Sequence, residues 1–379
     1  MKRFLKLLPL ILLTGAVSGV IGALFLKALS GVTDLRGEYK NILLILPLAG
    51  LLSVFINNRL KTTKVTTSGV LELKNDTPPA IVPSMFLSTV LTHLFGGSAG
   101  KEGAALQIGS GISATVSKTF KLNEVDAKTL SLCGMGSMFS ALFCTPIAAS
   151  AFVIEASTTC EYFLLFPVIL ASICGYFVSL ALGSAPEHLR FEMPLFEWSV
   201  IPKILVIALG CVVICYVFLR TLKFVKKIFA KIANPYLRIT VGAVIVIIVT
   251  ALIGNMRYNG GGMGVVEHIF AHGEFEYADF LFKIALTAIT LGCGFKGGEI
   301  VPTFFVGATF GALLSAGLGL FVPLGACVGM LVTFGLFTNA PIAAVVMSAE
   351  LFGLSALPYV AGAMMVSYLI YNIIKKRGR

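Results

Sequence analysis

Phe143-Cys-Thr-Pro146-Ile-Ala-Ala149, followed by Glu155, returns in the second half of the chain as Phe337-Thr-Asn-Ala-Pro341-Ile-Ala-Ala344, followed by Glu350. In both copies the glutamate lies nine residues after its proline. Upstream of each copy is a glycine-rich stretch, Gly96-Gly97-Ser98-Ala99-Gly100 in the first and Gly297-Gly298-Glu299-Ile300-Val301 in the second. The glycine-to-proline intervals are 50 and 44 residues. A two-part match at similar spacing marks an internal repeat.

The chain around this repeat has 379 residues, 57% of them apolar and 12% charged, against about 25% charged in a soluble domain. Eighteen acids and 29 bases cannot solvate the surface of a soluble chain of this length. The composition therefore excludes an ordinary soluble enzyme and predicts an all-α polytopic membrane protein. The net charge of +11 gathers in four clusters beside apolar runs: Lys2/Arg3/Lys6, Arg59/Lys61/Lys64, Arg220 to Arg238, and Lys375/Lys376/Arg377/Arg379. Bases so placed set topology and do not signal nucleic acid.

If all four clusters face the cytoplasm, a first span at 8–29 crosses outward, a mixed-charge loop follows (Asp34, Arg36, Glu38, Lys40), and a second span returns at 42–56. Lys2, Arg3 and Lys6 resemble the start of a signal peptide, but the run from Leu7 to Leu29 carries one charge, Lys27, and is long enough to span. Gly183 to Pro202 carries Glu187, Glu192 and Glu197 against Arg190 and reads as an external linker. The next span, 203–219, then runs inward, opposite to the first. Two repeats of inverted topology follow, 1–190 and 191–379, with both termini cytoplasmic and the protein multi-pass in the plasma membrane. With the chain ending at Arg379, no cytoplasmic regulatory domain is expected.

Eight cysteines show no metal or disulfide spacing, and Cys211 and Cys215, one helical turn apart on an apolar run, read as packing residues. Four dispersed histidines form no catalytic or metal cluster, and no Walker-type loop is present. No enzyme, no cofactor and no metal are expected.

Residues 80–95, 103–116, 301–314 and 341–353 are too short or too broken by glycine and proline to span cleanly. Paired broken helices in matching places of two halves point to a site at the membrane midplane. Half-helices ending there aim N–H groups and the positive end of their dipole at it, which attracts an anion. In Thr66-Thr67-Ser68-Gly69-Val70 the Ser68 hydroxyl either donates to such an anion without adding charge or is an ordinary helix cap. Glu102, in Gly100-Lys101-Glu102-Gly103-Ala104, is a carboxylate between glycines at membrane depth. Its functional reading is a gate that occupies the anion site when ionised and leaves when protonated; its structural reading is a Lys101–Glu102 pair. In Gly294-Phe-Lys-Gly-Gly-Glu299-Ile-Val-Pro302 the amides after Gly298 are placed to complete the cradle, and Glu299 is either functional or a first-turn acid. Tyr359 either reaches a central anion or anchors at an interface. Glu155 and Glu350 read as structural, and His93 as a packing residue.

These residues resemble the CLC family of chloride channels and proton-coupled anion exchangers, from about residue 8 to 373. Gly100-Lys101-Glu102-Gly103 is similar to the family's Gly-Lys/Arg-Glu-Gly-Pro motif, with Ala104 for proline, which implies that Glu102 is the gating glutamate. Thr67-Ser68-Gly69-Val70-Leu71 resembles Gly-Ser-Gly-Ile-Pro and implies anion coordination by Ser68 and Gly69. Gly298-Glu299-Ile300-Val301-Pro302 resembles Gly-x-Phe-x-Pro, which brings Ile300 and Val301 to the anion, and Tyr359 is matched to the central tyrosine. The resemblance implies a homodimer with one pore per subunit, carrying halide ions and protons across the bilayer.

Two departures bear on the ion. Ala156 stands where proton-coupled members carry an internal glutamate. Glu299, together with Thr92-His93-Leu-Phe-Gly-Gly-Ser-Ala-Gly100, looks like the fluoride-exporting branch, in which a glutamate of this loop is implied to take the internal role. The sequence reading is a chloride (halide)/proton antiporter, with a fluoride/proton exporter and a passive chloride channel as alternatives.

Overall fold

The computed structural model describes residues 2–73, 77–157, 162–184, 189, 191–194 and 197–377. Cys160, Glu187, Arg190 and Arg379 lie outside them. The regular structure among the described residues is helical, in two runs of eight α-helices. The first run is α1 (Lys2–Glu38), α2 (Leu46–Arg59), α3 (Thr67–Leu71), α4 (Ile81–Leu94), α5 (Glu102–Thr119), α6 (Glu124–Phe143), α7 (Pro146–Ala156) and α8 (Leu165–Ala181). The second is α9 (Ile201–Phe229), α10 (Pro235–Ile253), α11 (Met263–His272), α12 (Asp279–Cys293), α13 (Ile300–Gly317), α14 (Val322–Thr338), α15 (Pro341–Phe352) and α16 (Leu357–Arg377).

The two runs repeat in backbone detail. Lys101, ahead of α5, has φ −99° and ψ −16°; Glu299, ahead of α13, has φ −99° and ψ −14°. α6 ends on Cys144 in the left-handed region (φ 56°, ψ 34°), and α14 ends likewise on Asn339 (φ 57°, ψ 37°). The proline that opens the next helix follows two residues later in each case. It supplies a preset φ at a position whose N–H has no intrahelical acceptor.

Close helix crossings recur at equivalent places. A Cβ on Gly109 of α5 would stand 2.2 Å from the Gly134 carbonyl of α6. In the other run, a Cβ on Gly307 of α13 would stand 2.4 Å from the Gly329 carbonyl of α14. Gly109 and Gly307 each lie seven residues into their helices, and Gly134 and Gly329 each lie ten before the left-handed cap. With little hydrophobic drive between helices in lipid, such small-residue contacts are what let backbones pack.

The chain divides into two compact units. One holds Met1–Gly96, Lys101–Pro186 and Phe295–Gly298; the other holds Gly97–Gly100, Glu187–Gly294 and Glu299–Arg379. Each unit thus includes a four-residue glycine loop from the opposite half of the sequence.

Among the described residues, six helical stretches are long and apolar enough to cross a membrane, including Arg3–Glu38, Trp198–Phe229 and Leu354–Lys376. α4, α7, α8, α14 and α15 are shorter apolar helices. Two expectations are corrected. The loop expected around Asp34, Arg36 and Glu38 is the end of α1, because nothing between Ala28 and Glu38 breaks the helix except glycine. Arg36 is held there, donating to the His93 carbonyl. α13, expected as a short broken piece, runs 18 residues, about 27 Å at 1.5 Å per residue.

Candidate anion site

Glu102 is the first residue of α5 and is fully buried. The Lys101 backbone N–H donates to its Oε1 at 3.0 Å. A Cβ placed on Gly298 would stand 2.7 Å from Glu102 Oε2 and 2.5 Å from the Gly103 nitrogen. The carboxylate and the first amides of α5 therefore lie directly over the bare backbone of Gly298, where only glycine leaves room. A negative group at this helix start is favoured by the dipole and by amides that have no intrahelical acceptor. The same features suit a small anion taking the carboxylate's place. The Lys101 ammonium lies over the Phe143 ring, 5.4 Å from its centroid.

The Thr66–Val70 loop folds differently from the expectation. The cap of α3 is Thr66, whose Oγ1 accepts from the Gly69 N–H at 3.1 Å. Gly69 therefore spends its amide on the helix. The Ser68 hydroxyl is exposed and lies 3.3 Å from that of Thr66. The hydroxyl brought to the glutamate loop is that of Thr67, which donates to the Gly103 carbonyl at 3.4 Å and accepts from Gln107 Nε2 at 3.0 Å. Neither Thr67 nor Gln107 was singled out in the sequence. The spacing of Gly103 and Gln107, one turn apart on α5, is the signal that would have paired them.

In the second unit, the Gly97–Gly100 loop is fixed by α12. The Ser98 N–H donates to Thr290 Oγ1 at 3.1 Å, and the Ser98 and Thr287 hydroxyls are 3.0 Å apart. The Gly97 carbonyl accepts from the Gly260 N–H at 3.0 Å. Beneath that contact is a fully buried lysine, Lys283, whose ammonium donates to the Gly260 and Tyr258 carbonyls at 2.7 and 3.1 Å and lies over Phe305. Arg257 caps the start of α12 through a two-pronged pair with buried Asp279, both contacts 2.8 Å. Sequence reading missed Lys283, although a lone lysine in the apolar run Phe280-Leu-Phe-Lys283-Ile-Ala-Leu286 is an expensive residue that asks for a reason.

Ile300 and Val301 open α13 and are buried. Their amides precede the first intrahelical bond, in which the Thr303 N–H donates to the Glu299 carbonyl at 3.0 Å, and Pro302 contributes no N–H. Glu299 is exposed and lies within electrostatic reach of Lys226, at the end of α9. Ala156 is the last residue of α7. Tyr359 is buried in the first turn of α16, and its hydroxyl donates to the Pro194 carbonyl of the linker at 3.4 Å. That is the end of α16 away from Lys375 and Lys376. His93 is buried, with Nδ1 2.9 Å from the Thr89 carbonyl, and Cys211 and Cys215 are buried among apolar neighbours.

Comparison with known proteins gives consistent matches. The family model described as voltage gated chloride channel matches residues 61–372. A chloride/fluoride channel protein of Pseudomonas syringae pv. tomato is 31% identical over 328 residues, covering 82% of this chain and 72% of its own. The crystal structure of a CLC-type fluoride/proton antiporter superposes with a TM-score of 0.92 at 30% identity, covering 98% of this chain and 96% of the other. A slow cyanobacterial Cl−/H+ antiporter superposes at TM-score 0.79 and 18% identity over 97% of this chain and 96% of its own, a likeness of fold.

Proposed function

The chain belongs to the voltage gated chloride channel family, and on that premise we propose that it is a secondary-active anion/proton antiporter carrying a halide. The observation that carries this reading is the Glu102 carboxylate lying over Gly298 at the start of α5. Ionised, it fills a cradle made for an anion; protonated, it loses the charge that the dipole and amides favour, and a halide replaces it. One group thus alternates between competing with the anion and carrying the proton.

Glu299 is the second proton group in this reading. It stands at the head of α13, within electrostatic reach of Lys226 in the basic end of α9. That location supplies protons from the cytoplasmic side and compensates for Ala156. The Tyr359 hydroxyl holds the Pro194 carbonyl of the linker at 3.4 Å.

For the cargo, fluoride moves ahead of chloride. The Ser68 and Gly69 contacts do not lay out the anion-coordinating loop that the resemblance implied. The antiporter that this chain matches at 30% identity over nearly its whole length is a fluoride/proton exchanger. Chloride is the second reading, favoured by the relative named a chloride/fluoride channel protein. The protein acts as a homodimer in the plasma membrane, with both termini cytoplasmic.

The test is simultaneous recording of anion efflux and proton uptake from liposomes loaded with fluoride or chloride. Fluoride efflux that drives uphill proton uptake, with coupling lost in Glu102→Gln and in Glu299→Gln, is expected. Chloride coupled to protons in preference to fluoride transfers the assignment to the second reading. Anion efflux with no proton movement in the unmodified protein overturns antiport and leaves a passive channel.

A further inference from the structure

A cavity of about 420 Å³ lies in the first unit where the end of α5 meets the start of α6, with Leu73 and Thr77 also in its lining. Its floor is lined with hydroxyls. Ser110 Oγ is 3.0 Å from Thr77 Oγ1 and 3.1 Å from Ser131 Oγ. The Ser117 hydroxyl, on a residue only 8% exposed, has no hydrogen-bond partner among the described residues. Among the described residues, the lining carries Lys118, Lys121 and Lys128 against one acid, Glu124, and Lys128 already holds that acid at 2.7 Å. Among the described residues, Lys118 and Lys121 enter no ion pair.

The backbone adds a second observation. Lys121 closes α5 in the left-handed region (φ 51°), with its N–H on the Lys118 carbonyl and the Leu122 N–H on the Ser117 carbonyl. The same turn after α13 is made by Gly319 (φ 59°), with the Leu320 N–H on the Ser315 carbonyl. Glycine is the residue this position favours. The first unit instead accepts a strained lysine there, and the turn sets that lysine at the cavity rim. Strain kept at a cavity wall is a recognised mark of a functional site.

We propose that this cavity binds a phosphate-bearing anion, at a site separate from the ion path. Two ammonium groups and a floor of hydroxyl donors suit the several oxygens of a phosphate. The space is in the range of small-molecule pockets and far larger than a bare halide needs. The shared chemistry has two sources, a soluble phosphate ester or a phospholipid headgroup. Exposed Phe120 and Val125 beside the rim offer a surface for acyl chains in the second case.

The test uses the full-length protein. In neutral detergent at low ionic strength it is titrated with sodium pyrophosphate. In parallel it is placed in nanodiscs of phosphatidylcholine with or without phosphatidylglycerol, and thermal unfolding is read in each. A saturable rise in midpoint is expected with pyrophosphate or with phosphatidylglycerol, the former assigning a soluble ester and the latter alone a headgroup. In Lys118→Ala/Lys121→Gly, half-saturation should weaken at least about tenfold as two charge-assisted contacts are lost. The glycine should at the same time raise the ligand-free midpoint, a split that a purely structural role for Lys121 would not give. Lys61→Ala/Lys64→Ala, in a different basic cluster, should keep the shift. No shift with either probe, or one undiminished in the Lys118/Lys121 variant, overturns the proposal.

Discussion

At the scale of single residues, the site is governed by what is missing from Gly298. Its absent side chain is the space in which the Glu102 carboxylate and the α5 amides sit, 2.5–2.9 Å from where a Cβ would be. Gly298→Ala sets a methyl group against backbone, which cannot swing away as a flexible side chain can. The substitution should destabilise the protein by about 1–3 kcal/mol and push the carboxylate out of the cradle. In loaded liposomes the expected result is anion efflux with proton coupling reduced as far as in Glu102→Gln. Full coupling and unchanged thermal stability in Gly298→Ala would mean that the carboxylate does not occupy this space during the cycle. Lys283 shows the opposite economy: a buried charge retained at membrane depth by two carbonyls and a ring face.

At the scale of helices, the repeat rests on glycine crossings, and these give a paired prediction. Gly109→Ala meets the Gly134 backbone at 2.2 Å, whereas Gly31→Ala, within α1, meets nothing within 4 Å. Both change a helical glycine to alanine, which by itself favours the helix by roughly 0.5–1 kcal/mol. Gly31→Ala should therefore raise the thermal midpoint in detergent, while Gly109→Ala should lower it as overpacking outweighs propensity. Equal shifts of the same sign in the two variants would remove the crossing as a determinant of the fold. The repeat itself was legible because its punctuation is chemical: Pro146 and Pro341 open α7 and α15, and glycine-rich loops precede α5 and α13. Glu102 was legible because an acid at membrane depth has few bland explanations. The Ser68 and Gly69 contacts were not legible, because adjacent hydroxyls at Thr66, Thr67 and Ser68 compete for the cap. Tertiary contact with Gln107 and Gly103 decides which of them turns inward. The end of α1 was misread for a similar reason: Asp34, Arg36 and Glu38 look like loop charges until the His93 carbonyl supplies a partner for Arg36.

At the scale of the whole molecule, the second unit fixes an axis that can be tested. α9 begins at Ile201, directly after the linker, and ends in Lys226 and Lys227. α16 begins at Leu357, with Tyr359 bound to the linker carbonyl of Pro194, and ends at Arg377 beyond Lys375 and Lys376. Both helices thus run from the linker to a basic end. Their 29 and 21 residues make them about 43 and 31 Å long at 1.5 Å per residue, enough to cross the hydrocarbon core. Two basic ends sharing one side should set that side in the cytoplasm. Alkaline phosphatase fused within residues 183–200 should then be active in cells, and the same enzyme fused after Arg379 or within 230–234 should be inactive. A green fluorescent protein at those last two positions should fluoresce. The reverse pattern would invert the protein in the membrane and make the linker cytoplasmic. Glu299 would then lose its access to cytoplasmic protons through the basic end of α9, since Lys226 would face outward. The expected pattern instead keeps Tyr359 at the linker end of α16, away from the cytoplasmic bases Lys375 and Lys376, and leaves Glu299 as the acid on the inward route.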